Sequence, residues 1–309
     1  MNKTVEKLVQ SGGNIRRGKA ILERIDDFGL VENTVKESID WLSFQKNILI
    51  EVKGRTDSIV YIVSHYDKTD INPFTMISLL LDGFLDPLLS WAFLSDGAID
   101  NATGVAVSLE LAKELFQSDL ELTYRILLVG SEETGLRGSR SHVARLSDSI
   151  ANKILYVINI DMVGVKNKAN CVTTNVGNRE LTKLSLEIAE DLNIELGKGK
   201  IPFLGSSDYA AFKKTSFLKD FGRSFQFNLT GAFLPQRSYS AKKRQNEIIN
   251  FSSCDVLDTG DYIGSALLMP IGTIHGFRDN IKLVDERKLY EQYKLTLSLI
   301  KRVDSEGVF

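Results

Sequence analysis

Cysteine and histidine are both scarce in this chain of 309 residues, with two of the first and three of the second. Cys171 and Cys254 cannot build a disulfide scaffold or a four-cysteine zinc site, and two reduced thiols are the expected state. A surplus of either charge is missing too. The 38 basic residues face 40 acidic ones, a net charge of −2, which disfavours nucleic-acid binding through bulk charge. Met1–Gly12 is polar, mixes both signs of charge and lacks the apolar core of a signal peptide, so a cytoplasmic location is expected. Repeats and low-complexity tracts are not evident. What is present is a globular composition, 43% hydrophobic and 25% charged. The length allows two domains or one large α/β domain.

Apolar runs rich in β-branched residues alternate with helical patterns. Asn47–Val52, Ile59–Ser64, Tyr124–Ser131 and Ile154–Ile160 are predicted strands, and Ala266–Ile274 a late one. Ala20–Ile25, Val35–Leu42, Val105–Phe116, Ser139–Leu146, Arg179–Leu192 and Asp285–Val303 are predicted helices. Near-continuous apolar strands separated by helices indicate a sheet covered on both faces, where ligands gather at strand ends.

Two stretches look inserted into a single domain spanning residues 1–309. The first, residues 68–99, is apolar and is expected to be helical. Its middle, Ile71–Leu94, is interrupted by Asp82, Gly83, Asp86 and Pro87, and a single membrane span would part its two flanks by about 30 Å. No span is therefore expected, and residues 71–94 are a possible homo-oligomer contact. The second, residues 213–250, is a predicted loop. Between Lys213 and Arg244 eight basic residues are opposed only by Asp220, with Phe217, Phe221, Phe225, Phe227, Phe233 and Tyr239 among them. A solvated loop or partner surface is the expected reading. An arginine gripping a substrate carboxylate is an alternative, and nucleic acid is not expected.

The chemistry concentrates at predicted strand ends. His65 and Asp67 follow one strand and share a side of it, which suits a metal-ligating imidazole with a carboxylate nearby. Asp100 opens the helix at Val105–Phe116, as an N-cap or a metal-bridging carboxylate. Glu132 and Glu133 follow a buried strand, an arrangement that is costly unless something positive receives them. Asp161 ends another strand, and His275 precedes the last helix. His142 has no such company and is assigned a structural or surface role. Carboxylates with imidazoles suit zinc, with cobalt or manganese as other occupants. Two metals sharing one carboxylate would acidify a bridging water, and a free glutamate would take its proton.

Six strings in order carry a family resemblance. They are His65-Tyr66-Asp67, Asp100-Asn101-Ala102-Thr103-Gly104, Glu132–Ser139, Asn159-Ile160-Asp161-Met162, Ser207-Asp208 with Phe212, and Ile274-His275 with Asp279. The chain resembles the M28 family of zinc-dependent exopeptidases, whose best-known members are dizinc aminopeptidases. The resemblance implies a three-layer α/β/α sandwich around a mixed, mostly parallel sheet. It implies two zinc ions per chain, one on His65 and Asp161, one on Glu133 and His275, with Asp100 bridging. Glu132 would be the general base, Asp67 would hydrogen-bond His65, and a non-proline cis peptide would join Asp100 to Asn101. Tyr209 stands where members often have His, and Ile274 where some have Tyr. The implied activity is an aminopeptidase acting on a peptide or small amide. The alternatives are a carboxypeptidase, dipeptidase or amidohydrolase on the same site, or an inactive binding relative; a single-metal glutaminyl cyclase also resembles the pattern, but the full ligand set argues against it.

Overall fold

The computed structural model describes residues 1–41, 43–68, 95–200, 207–213, 247–256, 262–264 and 279–306. Among the described residues nine strands form one sheet: β1 (Thr34–Ser38), β2 (Lys46–Val52), β3 (Ile59–His65), β4 (Thr123–Val129), β5 (Ile154–Ile160), β6 (Ala169–Thr173), β7 (Leu196–Gly199), β8 (Glu247–Val256) and β9 (Tyr262–Gly264). Their order is β1-β2-β4-β3-β5-β8-β6-β7, with β9 paired to β8. The centre, β4-β3-β5-β8, is parallel, and antiparallel pairs flank it at β1-β2, β2-β4 and β6-β8.

Every residue of β3 is buried, as expected of a strand covered on both faces. Val60 and Ile62 belong to one core; Tyr61 and Val63 belong to the other. The first core is closed by α1 (Asn2–Gln10), α2 (Asn14–Asp27), α3 (Thr103–Phe116), α6 (Arg179–Asp191) and α7 (Glu286–Glu306). The second holds Tyr209 and Phe212 with Val143 of α4 (Arg137–Arg145), which a one-turn α5 (Asp148–Ala151) follows. The molecule is thus the expected three-layer sandwich. No helix among the described residues is long and apolar enough to cross a membrane.

Three expectations are corrected. Val35–Leu42 is not a helix: Thr34–Ser38 forms the edge strand β1 on β2, where backbone pairing with Lys46–Ile50 overrides a weak helical pattern. Glu247–Asn250, expected to close the second insertion, begin β8 and pair with Tyr156–Asn159. Cys171 and Cys254 form a disulfide, because the β6-β8 ladder sets their Cα atoms 6.0 Å apart, within bridging range. Residues 69–94 and 214–246, most of the two insertions, and the predicted strand Ala266–Ile274 lie outside the described residues.

His142, for which a structural or a surface role is expected, is buried on the second face. Its Nδ1 lies 2.8 Å from Glu37 Oε2 and its Nε2 3.0 Å from the Tyr61 hydroxyl. Burial works to raise the Glu37 carboxyl, but the hydrogen bond and charge of His142, with Arg145, outweigh it and hold it below its ordinary 4.5. A depressed carboxyl stabilises the fold above its unfolded pKa and loses that contribution as pH falls through the folded value. Glu37→Gln is therefore expected to flatten the loss of stability on acidification below about pH 4.5, read by urea unfolding across pH. An unchanged acid limb would remove this pair from the account.

Candidate metal centre

Neighbouring strand ends gather the site. β3 delivers His65 as its last residue, in register with Val129 at the end of β4. Glu132 and Glu133 lie in the turn that follows β4, and Asp161 directly follows β5. Asp100 comes from the Ala98–Ala102 segment leading into α3, and the Asp100–Asn101 peptide is cis.

His65 Nε2 lies 3.1 Å from Asp100 Oδ1 and 3.3 Å from Asp161 Oδ1. His65, Asp100 and Glu133 each offer a ligand atom, all within 4.8 Å of one another. His275 lies outside the described residues. The rest of the sequence-predicted set converges. His65, Asp67, Asp100 and Asp161 are buried, while Glu132 and Glu133 are half-buried.

Asp67 meets His65 through its backbone and not through its carboxylate. Its backbone carbonyl lies 3.2 Å from His65 Nδ1, whereas its carboxylate stands 3.6 Å away. The carboxylate instead accepts the backbone N–H groups of Glu132 and Glu133, both at 3.1 Å. One buried side chain thereby fixes both glutamates relative to β3.

Further groups tie the ends together. Ser207 Oγ donates to Asp161 Oδ2 at 2.7 Å, and Asn159 Nδ2 donates to Ser207 Oγ at 2.9 Å. Asn101 binds both neighbours of Asp161: its Nδ2 donates to Ile160 O at 3.0 Å and its Oδ1 accepts from Met162 N at 3.1 Å. Gly104 sits against this junction, where a Cβ would meet Asn101 Oδ1 and Ile160 O at 2.4 Å. Ser207 and Asn101 stood inside recognised strings without an assigned role. Polar residues beside a strand-end carboxylate were the only signal for them.

The electrostatics are those of crowded acids. Burial alone would lower His65, but the charges of Glu132 and Asp161, with hydrogen bonds to Asp100 and Asp161, hold it well above its ordinary value. Burial pushes the Glu132 carboxyl well above the usual range, against His65 and aided by Glu133, Asp208 and Asp161. Asp208, fully buried, is pushed up to about 7 by the same desolvation, eased by His65 and Ser139. Among the described residues, carboxylates outnumber the single imidazole at the centre of this cluster. Its imidazole and carboxylate donors fit a divalent cation that accepts nitrogen and oxygen ligands.

The sequence model for peptidase family M28 matches residues 47–221. Aminopeptidase YwaD of Bacillus subtilis is 29% identical over 132 residues, 43% of this chain and 23% of that protein. The chain spans under half the length of such curated relatives. Among solved structures, the LapA aminopeptidase of Legionella pneumophila has a TM-score of 0.68 at 14% identity, over 99% of this chain and 72% of that one. Glutaminyl cyclase of Bacteroides thetaiotaomicron has a TM-score of 0.64 at 16% identity, over 97% of this chain and 95% of that one. These two share the fold.

Asp67→Asn turns one acceptor into a donor facing the Glu132 and Glu133 amides. It is expected to weaken divalent-cation affinity about 10–100-fold, measured by competition with a chromophoric chelator. Parental affinity would show that Asp67 does not set the position of Glu133.

Proposed function

The chain belongs to peptidase family M28, and from that premise we propose that it is a zinc-dependent aminopeptidase, hydrolysing the first peptide bond of substrates with a free N-terminal amine. The observation that carries this reading is the meeting of His65, Asp100 and Glu133 ligand atoms within 4.8 Å, beside Glu132. Two zinc ions per chain are assigned. His65 and Asp161 would hold one, Glu133 and His275 the other, and Asp100 would be shared. Cobalt or manganese would suit the same donors. When bound, the ions would supply Lewis-acid polarisation of the scissile carbonyl and lower the pKa of water toward neutrality.

The chain's own residues do the rest. Glu132 takes the proton of the attacking water and returns it to the leaving amine. Its backbone N–H is held by Asp67 Oδ1, which keeps the carboxylate beside the ligand cluster. Ser207 fixes one oxygen of Asp161, leaving the other 3.3 Å from His65 Nε2. The acidic surroundings favour a cationic substrate amine over a neutral acetylated one. The substrate is a peptide or a small amide.

Glu132→Gln is expected to keep its zinc by elemental analysis while turnover falls by about 10²–10⁴-fold. Hydrolysis of aminoacyl amides should require a free amine. Parental turnover in the variant would remove Glu132 from its role. Preference for acetylated substrates with free carboxylates would replace the aminopeptidase by a carboxypeptidase-like activity.

A further inference from the structure

A buried cation outside the family-matched segment holds two of the ligand-bearing loops. Arg17 belongs to α2 and its side chain is fully buried. Its Nε donates to Tyr66 O at 2.5 Å, its Nη1 to Asp96 O at 3.0 Å and its Nη2 to Gly97 O at 3.0 Å. Tyr66 lies between His65 and Asp67. Asp96 and Gly97 lead into Asp100. One planar guanidinium therefore joins the two chain segments on either side of residues 69–94, immediately beside the residues assigned as ligands.

Neighbouring bonds repeat the pattern. Asn14, also on α2, receives Lys68 N–H on its Oδ1 at 3.0 Å. Lys68 Nζ donates to Ser95 O at 2.5 Å, directly between the same two segments. Ser95 Oγ donates to Asp279 Oδ2 at 3.1 Å, and Asp279 Oδ1 accepts Ile99 N–H at 2.6 Å. Gly97 closes the arrangement. Its φ is +59°, and a Cβ there would lie 2.6 Å from Lys68 Cβ and 2.8 Å from Arg17 Nη1. The approach is thus too close for any side chain.

A buried guanidinium is costly to desolvate and is retained where its fork satisfies several fixed acceptors at once. Three carbonyls from two loops are such acceptors. We propose that Arg17 is a positioning residue for the metal centre: by bridging Tyr66 to Asp96 and Gly97 it sets the separation of His65 and Asp100. The separation then depends on α2. The proposal rests on the metal-site reading above, and the test separates the two.

The experiment uses the full chain carrying Arg17→Met, Gly97→Ala or Ile21→Ala. Ile21 is a fully buried apolar residue of the same helix and touches neither loop carbonyl through a polar atom, so it controls for general loosening of α2. Hydrogen exchange of the metal-free proteins is read first. Amides in residues 95–105 should exchange about tenfold faster in Arg17→Met and Gly97→Ala, with β5 unchanged. Cobalt(II) is then titrated and followed by its visible absorption. Both variants should bind about 10–100-fold more weakly with an altered spectrum, while Ile21→Ala, at matched loss of thermal stability, keeps the parental spectrum. If Arg17→Met does not fold, Gly97→Ala alone decides, since it crowds the same contact. Parental exchange and spectrum in the folded variants overturn the proposal, as does an Ile21→Ala protein with the same losses. A parental protein that binds no cobalt or zinc refutes the metal reading instead, and the exchange data still decide the role of Arg17.

Discussion

Mutual repulsion among buried carboxylates is the constraint on which this structure turns. Asp67, Asp100, Asp161 and Asp208 are all buried around one imidazole, with Glu132 and Glu133 alongside. Left to themselves such groups resist ionisation, as the elevated Asp208 and Glu132 carboxyls show. The fold assembles them nonetheless, because each is carried on an element whose position is fixed by apolar packing. β3, β4 and β5 lie side by side in the buried, parallel centre of the sheet, and their carboxyl ends cannot avoid one another. Hydrophobic burial thus supplies what electrostatics opposes, and a bound divalent cation would relieve the opposition.

Backbone amides and carbonyls do much of the remaining alignment. Asp67 grips the Glu132 and Glu133 amides, Asp279 the Ile99 amide, and Arg17 the Tyr66, Asp96 and Gly97 carbonyls. Charged side chains bonded to neutral backbone in this way locate a loop without neutralising a ligand. Asp279 carries the strain of that arrangement: desolvation, with Asp100 nearby, pushes it up to about 7, while Ile99, Ser95 and Arg17 ease it. The centre is accordingly drawn from both termini, since Arg17 and Asp279 both lie outside the family-matched residues 47–221.

Much of this was legible in the sequence because strand ends announce themselves. A carboxylate at the close of a run such as Tyr124–Ser131 or Ile154–Ile160 has few structural explanations, whereas His65 after Ile59–Ser64 gains its meaning only from the other strings. The order of the strings then implied the fold, the ligand set and the cis Asp100–Asn101 peptide. His65, Asp100, Glu133 and Asp161 do meet. Contacts made through the backbone left no such trace. Any buried carboxylate next to His65 suggests a bond to that ring, yet Asp67 turns to the glutamate amides. Arg17 sits in an ordinary amphipathic helix, where an arginine reads as a solvated residue. β1 was missed because an edge strand with Val35 exposed lacks the burial pattern that marks a strand. The disulfide was missed because pairing of β6 with β8 is a long-range fact, separated by 83 residues.

Anomalous diffraction at the zinc absorption edge, from crystals of the full chain grown with zinc, addresses the central claim most directly. The account predicts a peak in contact with His65 Nε2, Asp100 and Asp161, and a second on Glu133 that shares Asp100. Zinc-edge maps without a peak at this cluster, from protein whose His65 and Asp100 remain together, would contradict it.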